Sequence, residues 1–134
     1  MKATGTFEVK LLPLDSYATG SEGTSLGRMS IDKTFYGDLA ASSEGQMLTA
    51  MTAVEGSAGY VAIEQVSGSL HGKKGTFVLQ HYGLMDADGQ RLILEVVPDS
   101  GTGQLARLSG QMAIYIENGQ HNYELDYNLG GNGR

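Results

Sequence analysis

A carboxylate and an imidazole, Glu64 and His81, are the polar pair most able to do chemistry, because both fall among apolar residues in alternating stretches. A two-residue turn at Gly72-Lys73 would make them direct partners across a hairpin. The carboxylate would then fix the tautomer of the imidazole and leave a ring nitrogen to bind a ligand or move a proton. The alternative is a buried pair with a purely structural role, since an unpaired buried charge is costly.

Further side chains fall on the same predicted face. A turn at Asp88-Gly89 brings a third strand beside the pair, and the hairpin at Asn118-Gly119 adds a tyrosine to an apolar face. A one-residue slip would move Glu64 to the opposite face, so the grouping depends on the turns. The candidates for lining a ligand pocket are His81, Glu64, Phe77, Leu79, Leu94 and Tyr123.

Other motifs do not predict a reaction. His71 and His81 are ten residues apart on one extended segment, roughly 30 Å at ~3.3 Å per residue, so they cannot share a metal ion. No HExxH motif or paired-carboxylate spacing occurs, and we predict neither a metal site nor a cofactor. No GxSxG motif surrounds a serine, and Ser100 has no evident partner, so no catalytic residue is assigned.

The chain is expected to form eight strands, because short alternating runs separated by glycine-containing turns recur about every ten residues. Asn118-Gly119 is the best-marked turn, since both residues tolerate the positive φ of a type I′ hairpin. The predicted strands are Lys2 to Leu12, Leu26 to Ser42, Gln46 to Glu55, Gly59 to Leu70, Gly75 to Met85, Gln90 to Val97, Leu108 to Glu117 and Gln120 to Leu129.

These strands would bury one face best by closing, which also removes the exposed edges of an open sheet. We therefore predict an all-β fold, a single antiparallel eight-stranded barrel over residues 1–129, with a disordered tail over residues 130–134. In a simple meander, the loop from Pro13 to Ser25 shares a rim with the Asp88-Gly89 turn, and His81 points toward that end. A pocket is expected beneath this loop, which is long enough to act as a lid.

Composition narrows the classes of function. The chain has 134 residues, no cysteine and a formal net charge of -6, with no basic cluster longer than Lys73-Lys74. Thiolate chemistry is excluded, and nucleic acid is not an expected partner because its affinity depends on clustered positive charge. No apolar run approaches the ~20 residues of a membrane helix, and the start has no signal-peptide pattern. We expect no membrane association and a cytoplasmic location.

The outer face of the predicted barrel is not uniformly polar. Val78, Leu84, Ile93 and Val97 alternate with the inward-facing set in the fifth and sixth strands. Exposed apolar surface of this kind is typical of an interface, and a two-fold homo-oligomer is the simplest way to cover it.

The segment VVPDSGTGQLARLSGQM resembles the glycine-rich signature of allene oxide cyclases and dirigent proteins. The matching residues are Gly101, Thr102, Gly103, Leu105 and Gly110. The chain departs from those families at Leu105 and Leu108, where they commonly have Phe and Ala. The segments GRMSIDKTFYGDL, GSAGYVAIEQVSGSLHGKKGTFVLQHYG and VPDSGTGQLARLSG together are similar to a family of small uncharacterised bacterial proteins. This resemblance implies an allene oxide cyclase-like barrel, in which the glycine-rich loop lets the backbone turn tightly at a rim.

Three hypotheses of function remain open at this point. The first is a barrel that binds a small apolar ligand without catalysis, because an eight-stranded barrel can hold one small ligand. The second is an enzyme of the cyclase or isomerase type that uses the His81 and Glu64 couple. The third is an oligomeric scaffold whose barrel is filled by its own side chains.

Overall fold

The computed structural model describes residues 1–130, and eight antiparallel strands in it form one closed barrel in chain order. The predicted fold is therefore confirmed. Side chains alternate between the barrel interior and the outer surface along each strand, as the two-residue period of β structure requires. The strands are β1 (Lys2–Leu14), β2 (Ser25–Gly37), β3 (Leu39–Met51), β4 (Ala58–Leu70), β5 (Lys73–Asp86), β6 (Gly89–Val96), β7 (Ser109–Glu117) and β8 (Gln120–Asn128).

The two ends of the barrel differ. One end, which we call the mouth, carries the connections at residues 15–24, 52–57, 87–88 and 118–119. The other end, the bottom, carries the turns at residues 38 and 71–72 and the segment 97–108. Glu64 lies between the two ends, and we use mouth half and bottom half for the parts of the barrel on either side of it.

The bottom half is filled by side chains. Leu105, which belongs to a short 3₁₀ helix at Gly103–Leu105, is 1% exposed and closes this end together with Leu108. Tyr123 is fully buried, and its hydroxyl accepts a hydrogen bond from the Leu39 amide at 2.9 Å. The core cluster comprises Ala3, Phe7, Phe35, Leu39, Val66, Leu70, Phe77, Leu79, Leu94, Val96, Leu105, Leu108, Met112, Tyr123, Leu125 and Tyr127.

The glycine-rich segment lies at the bottom, along the edge of β5 that β6 leaves uncovered. β6 ends at Val96, and the Thr102 amide then donates to the Thr76 carbonyl at 2.8 Å. A Cβ on Gly75 would lie 2.1 Å from the Thr102 carbonyl oxygen, so the close approach requires glycine there. The segment thus continues the wall of the barrel where the sixth strand is too short.

Strand positions and registers differ from the sequence-based expectation in three places. The break between β2 and β3 lies at Asp38, whereas the predicted break lay between Ser42 and Gln46. The turns at residues 71–72 and 87–88 each lie one residue before the predicted pair, which shifts the cross-strand register by two residues. The Asn118-Gly119 turn is confirmed, with φ of 54° and 77° and Glu117 opposite Gln120.

Three further features complete the description of the fold. β6 and β7 share only the pairs Leu94 with Met112 and Glu95 with Gln111, so the barrel closes through its shortest ladder there. Over residues 1–130 no helix is long and apolar enough to cross a membrane. The predicted disordered tail begins at Gly130, which is buried and donates to the Asn128 side chain at 2.8 Å; residues 131–134 lie outside the described residues.

Candidate functional site

A buried carboxylate stands at the centre of the barrel. Glu64 points inward from β4 and is fully buried. Its Oε2 accepts a hydrogen bond from the Lys33 ammonium at 2.9 Å and also contacts His81 Nε2, while its Oε1 accepts from the Ser43 hydroxyl. Tyr60 adds the last member, with its hydroxyl 3.2 Å from His81 Nδ1. We call these five side chains the Glu64 cluster.

Four neighbouring strands position this cluster. Lys33 on β2 lies directly opposite Ser43 on β3, and Glu64 on β4 lies opposite Gly45 on β3. A Cβ on Gly45 would lie 2.6 Å from Glu64 Cα, so only glycine allows the two strands to pack with the carboxylate in this place. The alternation of each strand directs these polar side chains into the interior, and the register of the strands brings them within reach of one another.

The Lys33 ammonium is enclosed by aromatic rings as well as by the carboxylate. It lies 5.0 Å from the centroid of the Phe7 ring and 5.6 Å from that of Phe35. Its side chain is 5% exposed. A cation can be buried in this way only when an anion and polarisable ring faces replace its water.

The charge of Glu64 follows from its partners. Burial alone would raise the pKa of this carboxyl, but the hydrogen bond from His81, the positive charge of Lys33 and the Ser43 hydroxyl outweigh it and lower the pKa to about 2. Glu64 is therefore ionised at neutral pH and can only accept hydrogen bonds. His81 Nε2 must be the donor, and in a neutral imidazole Nδ1 is then free to accept from the Tyr60 hydroxyl.

Tyr60 is the outermost member of the cluster on the mouth side. Its ring lies across Gly83 on β5, because a Cβ at that position would be 2.4 Å from Tyr60 Cε1. Burial, followed by the negative charge of Glu64, raises the pKa of Tyr60 above its usual 10, so the phenol keeps its proton. The hydrogen-bonded chain runs from the buried carboxylate through His81 to a half-buried phenol.

Glu64 and His81 come together as the sequence suggested, but not as direct cross-strand partners. The ladder places Glu64 opposite Leu79 and His81 opposite Ala62, so the pair is diagonal. The two-residue shift keeps both side chains on the inner face, which is why their contact survives the error in register.

The other pocket candidates are buried. The side chains of Phe77, Leu79, Leu94 and Tyr123 are 0–1% exposed and belong to the core cluster, and Leu94 also borders an opening of about 260 Å³ beside β6 and β7. The predicted lid is tied down: Tyr17 donates to the Thr49 carbonyl at 3.2 Å, on β3. A crevice of about 700 Å³ does lie at the mouth rim, but on the outer surface between the β3–β4 and β5–β6 connections, and its lining includes none of the six candidates.

Sequence reasoning missed Lys33 and Ser43. Lys33 lies two residues from Ile31 and from Phe35, both buried, so the alternation on β2 did contain a signal that this lysine faces inward. Ser43 was assigned to a turn because the end of β2 was placed too late. Tyr60 falls within the predicted strand Gly59 to Leu70, but the sequence analysis gave it no role.

A second polar group lies at the bottom. His71 adopts a φ of 48° in the turn, and its Nδ1 bonds to the Tyr127 hydroxyl while its Nε2 lies 3.5 Å from Asp38 Oδ2. The Asp38 carboxylate also accepts from the Thr4 amide at 2.9 Å. These contacts tie two bottom turns to β8 and β1, which is a structural role, and they lie away from His81. Within residues 1–130, no three His, Asp or Glu side chains group as a metal site would require.

Comparison with known proteins agrees with this architecture. A family model described as protein of unknown function (DUF3224) matches residues 3–127. The chain belongs to the DUF3224 family. A crystal structure of a DUF3224 protein of unknown function from Shewanella oneidensis MR-1 is 63% identical to it, covers 95% of both chains and superposes with a TM-score of 0.92. Among curated proteins, none matches. The resemblance to a family of uncharacterised proteins is thus confirmed.

Proposed function

We propose that this DUF3224 protein binds one small, mainly apolar ligand in the mouth half of its barrel. The observation that carries the proposal is the change in exposure of inward-facing apolar side chains along the barrel axis. Those of the core cluster are at most 7% exposed, whereas at the mouth Leu11, Met51, Met85 and Ile116 are 39–68% exposed. The interior of an eight-stranded barrel is wide enough to hold one small ligand where its own side chains do not fill it.

The Glu64 cluster forms the polar floor of this space. With a neutral imidazole, the Tyr60 hydroxyl donates to His81 Nδ1, and the lone pairs of the phenol oxygen remain available. They would accept a hydrogen bond from a ligand hydroxyl. The ligand class is therefore an apolar chain or ring that carries one hydroxyl group.

The cluster suits binding better than acid–base catalysis by its inner members. Both ring nitrogens of His81 and both oxygens of Glu64 are occupied by partners within the protein. Buried side-chain polar atoms of the described residues all have a partner. A satisfied network of this kind holds Tyr60 in place before the ligand arrives, which lowers the entropy lost on binding.

A cyclase or isomerase remains the second proposal, in line with the likeness to allene oxide cyclases and dirigent proteins. What favours it is the continuous chain from Glu64 through His81 to Tyr60, along which a proton could be passed. In that case Tyr60, and not His81, would be the group that touches the substrate. The original couple of His81 and Glu64 would act as positioning residues.

A filled-barrel scaffold is the third proposal, and the packed bottom half favours it. It differs from the first in one respect: the mouth half would take up no ligand. A cytoplasmic location belongs to all three proposals, and so does the expectation that nucleic acid and membranes are not partners, given the net charge of -6.

The test is calorimetric titration of the native protein with 1-octanol and with its methyl ether, which lacks the hydroxyl hydrogen. We expect one saturable site and about 5-fold tighter binding of the alcohol, the value of one neutral hydrogen bond. Tyr60→Phe should remove this preference and leave the ether unaffected. Tyr115→Phe, which changes an exposed phenol on the outer face of β7, is the matched control.

The outcomes separate the proposals. No saturable binding of either compound would refute a binding barrel and leave the scaffold. Equal affinity for alcohol and ether in the wild type would refute the role given to Tyr60.

A further inference from the structure

Four apolar side chains form a continuous row on the outer surface of the barrel. Leu48, Val61, Tyr82 and Ile93 lie directly opposite one another across β3, β4, β5 and β6. Each is 38–49% exposed. Directly opposite side chains on neighbouring strands touch, so these four make one ridge across the sheet. We call them the apolar ridge.

The next outward row toward the mouth is a depression. Ala50, Gly59, Leu84 and Arg91 follow one another there in the same register. Because the first two have little or no side chain, the surface sinks into the crevice of about 700 Å³ described above, which these four residues help to line. The ridge and the crevice therefore run side by side over the same four strands.

We propose that a second copy of this chain docks on the outer face of β3–β6, with the ridge of each copy seated in the crevice of the other. A two-fold axis that lies in the plane of the interface, parallel to the two rows and midway between them, exchanges ridge and crevice. Under this operation Leu48 of one copy lies over Ala50 of the other, and Val61 lies over Gly59. Large side chains meet small ones at these contacts on β3 and β4, which is the self-complementarity that a two-fold interface requires.

The area agrees with a dimer of ordinary size. The ridge together with Ile63 and Leu84 exposes on the order of 500 Å² of apolar surface, which is near the upper range of patches on monomers. A standard interface buries about 800 Å² on each partner, of which about 65% is apolar in homodimers. The two values coincide within the precision of such estimates.

The composition of the surroundings also fits an interface. The next outward row toward the bottom holds Gln46, Ile63, Gln80 and Glu95, all exposed. The two neutral amides can pair with a second copy without the repulsion that like charges would cause across a two-fold axis, and the single carboxylate lies at the β6 end of the row. The apolar centre and polar border match the usual anatomy of an interface.

The first experiment measures mass by light scattering at about 50 µM protein. The measured mass of the wild type should be twice 14.2 kDa. Ile93→Lys should be a monomer, because the dimer would bury a charge and its dissociation constant should rise at least about 100-fold. Tyr115→Lys is the control, since it places the same charge on an equally exposed side chain outside the proposed face. Circular dichroism checks that each variant is folded.

The second experiment tests the register of the two copies. Ala50→Ile fills the crevice under Leu48 of the other copy and should weaken the dimer about 10-fold through overpacking. The double variant Ala50→Ile, Leu48→Ala exchanges large for small on both sides and should return to within about 3-fold of the wild type. General stickiness of an apolar patch predicts the opposite, a stronger association of Ala50→Ile.

Three results would overturn the proposal. A monomeric wild type would leave the face to a different protein. A dimer that Ile93→Lys does not weaken would use another surface. A dimer that the double variant does not restore would have a different register.

Discussion

Glu64→Gln removes the charge at the centre of the barrel and keeps the shape of the side chain. The pKa of this carboxyl falls from its usual 4.5 to about 2, and each unit corresponds to about 1.4 kcal/mol. Ionised Glu64 therefore contributes about 3 kcal/mol to the free energy of unfolding at neutral pH. The substitution also leaves Lys33 buried without its partner. We therefore expect Glu64→Gln to lower the free energy of unfolding by about 3–5 kcal/mol, the usual loss for a broken buried pair.

The direction of the pKa shift determines how the stabilisation by Glu64 changes with pH. A lowered pKa in the folded state means that the stabilisation is complete above pH 4.5 and is lost as the pH falls toward 2. The difference between wild type and Glu64→Gln should accordingly shrink to about half at pH 3. Without this dependence, the loss in the variant would reflect packing and not charge.

Urea unfolding at pH 7 and pH 3 measures both quantities. Glu44→Gln, an exposed carboxylate on the outer face of β3, is the control and should change stability by no more than about 0.5 kcal/mol. A cycle with Lys33→Met should return a coupling energy of about 2 kcal/mol or more. A loss below about 1 kcal/mol for Glu64→Gln, or one that is equal at the two pH values, would refute the ionised, paired carboxylate.

Two further substitutions test how the barrel holds its aromatic side chains. Tyr123→Phe should reduce the free energy of unfolding by about 1–3 kcal/mol, because the Leu39 amide would lose its buried acceptor. Chemical denaturation should show no such loss for the control Tyr115→Phe. Equal effects of the two substitutions would contradict the role of the hydrogen bond. Gly83→Ala should destabilise the protein by about 2 kcal/mol, since its methyl group would overlap the Tyr60 ring. The same change in a Tyr60→Ala background should have little effect, and an undiminished loss there would point to the backbone and not to the ring.

The fold was accessible from the sequence because its signals are local. Alternation marks each strand, and the Asn118-Gly119 turn sets its own register through two residues that accept positive φ. The turn at residues 71–72 was misplaced because His71 takes a φ of 48°, a conformation that only a few per cent of non-glycine residues adopt. At the β5–β6 turn, the Asp86 side chain caps the Asp88 amide at 2.8 Å, and the turn therefore closes one residue earlier than the Asp-Gly pair suggested.

Gly45 shows why one strand boundary was wrong. A glycine at the end of a short polar stretch, here Ser42 to Gly45, is a common turn signal, and it drew the predicted break to residues 43–45. In the barrel this glycine remains within β3, because Glu64 on the neighbouring strand occupies the space that a side chain would need. The requirement comes from a residue 19 positions away in sequence, so no local pattern could reveal it.

The Glu64 cluster was only partly accessible for the same reason. The Glu64 and His81 contact depends on one hairpin, and an even-numbered error in register left both side chains on the inner face. Lys33 and Ser43 reach the carboxylate from two other strands, and their arrival depends on the β2–β3 register, which the misplaced turn concealed. The filling of the bottom half follows from packing across the barrel, which the order of residues along a strand does not specify.

The most direct test of the central claim is a methyl NMR titration of the native protein with 1-octanol. Binding in the mouth half predicts saturable shifts for methyl groups that face inward there, on Met47, Leu92 and Ile114, with no shift for Leu70 or Leu125 in the bottom core. If no methyl shift saturates, or if the shifts fall on the outer ridge at Val61 and Ile93 alone, the mouth half is not a binding site and the account is wrong.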